Sequence, residues 1–249
     1  MSESGRRLIG GIHSVRTAIR HGAGQIGTLW YDSTRHDKRL GQLLSEARKA
    51  GLKPQAVDRA ALDKLLPDAN HQGVVAETAA PAAQAESALD ELLTTLGGPP
   101  LLLVLDGVTD PHNLGACLRS ADGAGVHAVI APRDRAAGLT PTACKVASGA
   151  AESVPFIQVT NLARTLKHLR DGYGVWVVGA AGEADTSLYQ ADLQGPLAIV
   201  MGAEEKGMRR LTREQCDQLV YLPMAGSVES LNVSVATGVC LYEAVRQRG

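Results

Sequence analysis

The chain is predicted to be an α/β protein with a mainly parallel sheet covered by helices on both sides. Three observations carry that expectation. Strand-length apolar runs alternate with helix-length amphipathic segments, most clearly after residue 100. Two of those runs, at 101–105 and 197–201, are almost wholly apolar, as in strands buried on both faces. Apolar residues make up 45% of the 249 and charged residues 20%, a balance that supports a packed core rather than disorder.

Taken in order, residues 12–20 have the spacing of a helix that stops at Gly22 and Gly24, and 28–31 read as a strand. Leu40, Leu43, Leu44 and Ala47 recur at steps of three and four, which predicts a helix over 36–50 closed by Gly51. A strand at 54–57, a short helix at 60–66 and a strand at 73–77 complete a first α/β unit. The Ala-rich stretch 78–86, interrupted by Pro81, reads as an exposed linker. Residues 89–96 have helical character before Gly97-Gly98-Pro99-Pro100 breaks the chain. These signals divide the sequence into a domain at 1–78, a linker at 79–97 and a domain at 98–249.

In the second domain a strand at 101–105 leads to a helix with Asp110 as candidate N-cap and Pro111 at its first position. Leu114, Cys117, Leu118 and Ala121 form its core stripe, and Gly123 and Gly125 end it. The next strand is 126–131. Leu162, Leu166 and Leu169 mark another helix, and 175–178, 197–201 and 219–222 are further strands. A closing helix is expected over 231–246, with Leu231, Val235, Val239, Tyr242 and Val245 on one face and Ser230 as its candidate N-cap. No internal repeat is evident.

Several function classes lack their parts. No apolar run reaches the length of a membrane span, and the segment after Arg7 is too short for a signal peptide. Cys117, Cys144, Cys216 and Cys240 form no C-x-x-C pair and the histidines show no ligand spacing, so no metal is expected and a reduced, cytoplasmic chain is the simple reading. Gly202 and Gly207 have the spacing of a phosphate loop, but Met208 and Arg209 stand where Lys and Ser/Thr are needed. No G-x-G-x-x-G follows a strand and no G-x-S-x-G elbow is present, which argues against dehydrogenases and serine hydrolases. Net charge is −1, yet residues 1–60 hold 11 Lys and Arg against 5 Asp and Glu, with His13, His21 and His36 nearby. That end either recruits a polyanion or is an ordinary solvated face.

Three segments remain. The first is Asp110-Pro111-His112-Asn113-Leu114-Gly115-Ala116-Cys117-Leu118-Arg119-Ser120-Ala121. The second is Ile199-Val200-Met201-Gly202-Ala203-Glu204-Glu205-Lys206-Gly207-Met208. The third runs from Leu222-Pro223-Met224 to Ser227-Val228-Glu229-Ser230-Leu231-Asn232-Val233-Ser234-Val235-Ala236. Each follows a strand, and in open α/β sheets ligands bind outside the strand ends. Asn113 and Arg119, Gly202 and Glu204, and Ser230 and Asn232 would converge there. Singly, each has a structural reading: Asn113 as a cap, Arg119 as a surface cation, Glu204 as a helix-start carboxylate, Met224 as core filler. The small polar residues of the third segment cost helix propensity, as caps or sites do.

In order and spacing these three segments resemble the SpoU (TrmH-like) family of RNA ribose 2′-O-methyltransferases. Lys145-Val146-Ala147-Ser148-Gly149-Ala150 fits the same family, and Gly10-Gly11-Ile12-His13-Ser14-Val15 and His71-Gln72-Gly73-Val74 are similar to its small substrate-binding domain. The resemblance implies a SPOUT-type α/β-knot, with a C-terminal trefoil knot, behind a small N-terminal L30e-like α/β domain. It implies S-adenosyl-L-methionine as cofactor, held by Gly202, Leu222, Met224 and Leu231. It places Asn113, Arg119, Glu204, Ser230 and Asn232 around the reacting ribose, in a homodimer with its site near the subunit interface. The likeness is strongest to the members that methylate a guanosine of 23S rRNA. A tRNA ribose methyltransferase and a non-catalytic RNA-binding or ribosome-assembly protein are the alternatives. One departure stands out: the family commonly has Gly where this chain has Glu205, a position that would be strained if it needs positive φ.

Overall fold

The computed structural model describes residues 6–67, 70–203 and 206–249. The chain divides into two compact units, Met1–Pro81 and Ala82–Gly249. In the first, β1 (Arg6–Gly10), α1 (Ile12–Gly22), β2 (Ile26–Asp32), α2 (Lys38–Lys49), β3 (Gln55–Val57), α3 (Arg59–Leu65) and β4 (Val74–Ala79) follow in order. The sheet runs β1-β4-β2-β3, with β4 antiparallel to both neighbours and β2 parallel to β3.

Helix α2 forms where the periodicity put it. Leu40, Leu43, Leu44 and Ala47 are buried, and the Asp37 carboxylate accepts the N–H groups of Arg39 and Leu40 at 2.9 and 3.2 Å. Such a cap contributes about 1 kcal/mol. Strand β1 went unanticipated, because two arginines and a few apolar residues carry no period of their own; its place is fixed by register against β4, Leu8 opposite Glu77. Two distant segments meet here. The Gln72 side-chain oxygen accepts the Ile12 N–H at 3.2 Å, and a Cβ on Gly10 would lie 3.0 Å from that of His71. His71 is buried. Its Nδ1 accepts the Gly73 N–H at 3.1 Å, so Nε2 carries the proton that faces Asp63 at 2.8 Å.

The second unit begins with β5 (Gln84–Ala85), α4 (Ser87–Thr95), β6 (Leu101–Asp106), α5 (Pro111–Gly123) and β7 (Ala128–Pro132). It continues through α6 (Pro141–Ala147), α7 (Ala150–Ser153), β8 (Phe156–Val159), α8 (Leu162–Tyr173), β9 (Trp176–Ala180) and β10 (Thr186–Ser187). It ends with β11 (Leu197–Gly202), α9 (Arg210–Arg213), β12 (Gln218–Tyr221) and α10 (Val233–Arg248). The sheet order is β10-β12-β9-β11-β6-β7-β8-β5, and every pairing in it is parallel. The expected α/β class is thus observed.

Both faces of this sheet are covered, which is why its strands read as unbroken apolar runs. Alternate residues of β6 point to opposite cores. Leu101, Leu103 and Leu105 join the cluster that holds α5 and α10, while Leu102 and Val104 join the one that holds α4 and α8. The stripe Leu114, Cys117, Leu118 and Ala121 of α5 is fully buried, as its spacing predicts. Gly115 lets α6 come close: a Cβ there would meet the Ala143 carbonyl oxygen at 2.5 Å. Helices α6 and α7 and strand β8 were missed. The two helices are short and their buried residues are small, alanines and one cysteine, which leaves only a weak hydrophobic period.

Two expectations about the last helix are corrected. It starts at Val233, and its cap is Asn232 rather than Ser230: the Asn232 side chain accepts the Ser234 N–H at 2.9 Å. The face carrying Leu231, Val235, Tyr242 and Val245 is the outer one, with Val235 51% and Tyr242 55% exposed. Val233, Ala236, Cys240 and Ala244 turn inward instead. The reason is close packing on α5, where Cys117 Sγ and Thr237 Oγ1 sit 3.5 Å apart and Gly238 faces Ser120. Such a seam admits small side chains and excludes large ones.

Candidate active site

The chain reverses its direction across the sheet between β6 and β11. From β6 it moves to β7 on one side, and β11 is reached from β9 on the other. A crevice outside the C-terminal strand ends is expected at such a point. Register aligns Gly202 with Asp106, and brings Met201 and Val220 level with Ala180. The loops that follow these residues enclose two adjoining cavities.

The first cavity measures about 430 Å³. Leu222, Met224, Leu231 and Val220 give it apolar walls, and Gly202 and Ser230 also line it. The Glu183–Arg213 ion pair stands at its edge. Gly202 is required by backbone approach. A Cβ there would lie 2.3 Å from the Gly207 carbonyl carbon and 2.4 Å from the Met208 nitrogen. The loop folds back through paired hydrogen bonds between Ala203 and Gly207, at 3.1 and 2.9 Å.

The second cavity, about 620 Å³, opens beside the start of α5 and is lined by Asp106, Thr109, Asn113, Arg135, Lys206 and Arg209. Ala203, Lys206, Gly207 and Val233 border both. The Asn232 amide donates to the Asn113 side-chain oxygen at 3.0 Å while its own oxygen accepts from Ser234, so one side chain ties the first turns of α5 and α10 together. Asp110 caps α5 by accepting the His112 N–H at 3.0 Å, and that bond holds its carboxyl below the usual carboxylate range.

The structure therefore gathers Gly202, Leu222, Met224, Ser230 and Leu231 around one cavity, with Asn113 lining the next and Asn232 bonded to it. Arg119 is not among them. It is exposed on the outer side of α5, lines neither cavity and makes no hydrogen bond or ion pair among the described residues. Glu204 and its neighbour Glu205 lie outside the described residues.

Sequence reasoning missed Asp106, Arg135, Lys206 and Arg209. The Asp106 carboxylate is fully buried, accepts the Arg209 N–H at 2.7 Å and faces the Arg209 Nε at 3.4 Å. A usable signal existed, since a charged residue closing an all-apolar buried strand marks a strand end that faces a site. Arg135 and Lys206 lie in polar loops that carry no such mark. Among the described residues no group of three or more His, Cys, Asp or Glu side chains is arranged to hold a metal ion. No described helix is long and apolar enough to cross a membrane.

Residues 100–242, more than half of the chain, match the SpoU rRNA Methylase family. The chain belongs to that family. Residues 8–84 match the family of RNA 2′-O ribose methyltransferase substrate-binding domains. Among SpoU relatives, a Ralstonia nicotianae protein named 23S rRNA (guanosine-2′-O-)-methyltransferase RlmB is 58% identical over 248 residues, 100% of this chain and 98% of that one. A Shewanella oneidensis protein of the same name is also 58% identical, over 97% of each chain. The SpoU methyltransferase AviRb of Streptomyces viridochromogenes, solved in complex with the cofactor AdoMet, superposes with a TM-score of 0.75 at 29% identity, covering 98% of this chain and 90% of that one.

Proposed function

We propose that this SpoU protein transfers a methyl group from S-adenosyl-L-methionine to the ribose 2′-hydroxyl of a guanosine in 23S rRNA. Near-full-length identity of 58% to relatives bearing that activity in their names supports the substrate. The observation that carries the chemistry is the meeting of Gly202, Leu222, Met224, Ser230 and Leu231 around one cavity, directly beside the Asn113–Asn232 bond. The cavity fits the cofactor. Its volume of about 430 Å³ suits a nucleoside-sized ligand, Val220, Leu222, Met224 and Leu231 would give such a ligand apolar contact, and Gly202 lets the 206–208 backbone close in on the cavity.

When bound, the cofactor supplies an electrophilic methyl group on a sulfonium. The chain's part is to position and to polarise. Leu222, Met224 and Leu231 exclude water from one side of the crevice, and Ser230 offers a hydroxyl at its mouth. Asn113 and Asn232, fixed by each other, present amide groups to the ribose. The planar guanidinium of Arg119 offers paired N–H donors, so its task is to orient the hydroxyl and the neighbouring phosphate and to stabilise negative charge as it develops. Glu204 is assigned the positioning of Arg119. The requirement for a 2′-hydroxyl selects RNA over DNA.

The finer architecture follows the same reading. Residues 1–78 are read as an L30e-like RNA-binding domain and 98–249 as the catalytic domain with a trefoil knot at its C-terminal end; of the expected linker 79–97, β5 and α4 are packed into the second unit. The knot is supported by Leu222, Met224 and Leu231, which line one cavity with Gly202, Ala203 and Gly207 before α10 packs on α5. The protein works in the cytoplasm as a homodimer. The outer face of α10, with Val235 and Tyr242 exposed at 51% and 55%, supports a partner of the same kind, because a monomer would leave that stripe in water. Tyr242→Asp is expected to shift the protein from dimer to monomer in sedimentation and to lower turnover about tenfold or more, since a desolvated charge would disrupt the interface. An unchanged sedimentation profile would remove α10 from the interface.

The deciding assay offers purified protein and labelled S-adenosyl-L-methionine to unmodified 23S rRNA and to tRNA. Label is expected on 23S rRNA at a guanosine ribose, mapped by resistance to alkaline cleavage. Label on tRNA alone would replace the substrate, and binding of rRNA without cofactor binding would mark a non-catalytic protein.

A further inference from the structure

The larger cavity holds cations that the proposed mechanism does not use. Arg135, Lys206 and Arg209 line it, together with Asp106 and Asp110. Each carboxylate accepts a backbone N–H, although Asp106 Oδ1 itself makes no hydrogen bond. Asp106 is buried against Arg209, and Asp110 caps α5. Arg209 is thereby compensated, while Arg135 and Lys206 are exposed and make no ion pair among the described residues.

Arg135 also has an unusual backbone. Its φ is 58°, in the left-handed region, which costs a non-glycine residue of order 1 kcal/mol or more. The loop is pinned in place two residues later, where the Ala137 N–H donates to the Val108 carbonyl at 2.8 Å on the cavity wall. The register of β6 against β7 pairs Val104 with Ile130, two residues before Asp106 on one strand and before Pro132, where this loop starts, on the other. A strained residue that lines a cavity and carries a guanidinium has the properties of a ligand clamp.

We infer that Arg135, assisted by Lys206, clamps the phosphodiester next to the target ribose, so that the larger cavity receives the ribose-phosphate of the substrate nucleotide. The inference rests on the proposed methyl transfer and names the substrate contact it needs. Guanidinium matches a phosphate with two parallel N–H donors, whereas Lys206 acts as a point charge. Lys206 borders both cavities, so it marks the line along which ribose and methyl donor meet. The clamp carries no base preference, since phosphate contacts position a strand without reading it.

Arg135→Gly separates charge from fold, because glycine adopts the left-handed conformation without strain. With unmodified 23S rRNA as the probe, Arg135→Gly is expected to raise KM for RNA about tenfold with kcat nearly unchanged. The slope of log affinity against log salt should fall in magnitude by about 0.7, the value for one lost phosphate contact on a single strand. Cofactor affinity and Tm should not decrease. Arg135→Lys should restore the slope and part of the affinity. An Arg135→Gly protein with the wild-type salt slope and KM would overturn the clamp, even while methyl transfer continued. Wild-type protein that bound this RNA with the Arg135-dependent slope but transferred no methyl group would keep the clamp and remove the methyltransferase reading.

Discussion

Replacing Gly202 with alanine should abolish S-adenosyl-L-methionine binding and destabilise the second unit. The added Cβ would stand 2.3 Å from the Gly207 carbonyl carbon, 2.4 Å from the Met208 nitrogen and 2.7 Å from the Gly207 oxygen. All three atoms are backbone, so no side chain can swing aside to admit it. Overpacking of this kind costs roughly 1–3 kcal/mol, which for a unit of this size lowers Tm by several degrees. The effect on binding should be larger than the effect on folding. The 206–209 loop borders both cavities, and moving it strains the hydrogen bond from the Arg209 N–H to Asp106 at 2.7 Å. Calorimetry with the cofactor and a thermal melt check the expectation. An alanine variant with unaltered affinity would show that the 430 Å³ cavity is not where the cofactor sits.

Gly202 also illustrates what the sequence discloses. Its position at the end of an apolar run suggested a strand-end site, and the third segment, from Leu222 to Ala236, was conspicuous for its crowded small polar residues. Both signals are local, and both locate the crevice. The helix stripes of α2 and α5 were legible for the same reason, since a period of three and four is written in adjacent turns. Properties set by distant partners were not legible. Val235, Val239, Tyr242 and Val245 are large, periodic and expected on one face, yet of these only Val239 packs against the core. The packing partner, α5, offers Cys117 and Ser120 at the seam and accepts only small residues in return. Likewise the cap of α10 fell to Asn232 because that side chain bridges to Asn113, 119 positions away. Arg135 was invisible for a different reason: its significance lies in a backbone angle and a cavity, neither of which leaves a compositional trace.

Arg119→Ala should reduce methyl transfer by about a thousandfold or more, the scale of removing a donor that stabilises developing charge. Folding is not expected to suffer. Arg119 is exposed on α5 and makes no hydrogen bond or ion pair among the described residues, and alanine favours the helix. Cofactor affinity should also persist, because Arg119 lines neither cavity. The variant thus isolates a role in the transition state from roles in binding and stability. Arg119→Lys sharpens the test. Lysine keeps the charge but loses the planar pair of donors, so a site that needs only a cation would recover most of its rate, while one that needs a bidentate contact to hydroxyl and phosphate would not. The position of Arg119 gives the experiment a second edge. Within one chain the residue lines neither cavity, and its neighbour in sequence, Ser120, faces Gly238 of α10. If Arg119 acts only in the assembled dimer, Tyr242→Asp should lower kcat toward the Arg119→Ala level while leaving cofactor affinity intact. A monomeric Tyr242→Asp protein with wild-type kcat would break the link between assembly and catalysis, and near-normal turnover in Arg119→Ala would take Arg119 out of the mechanism.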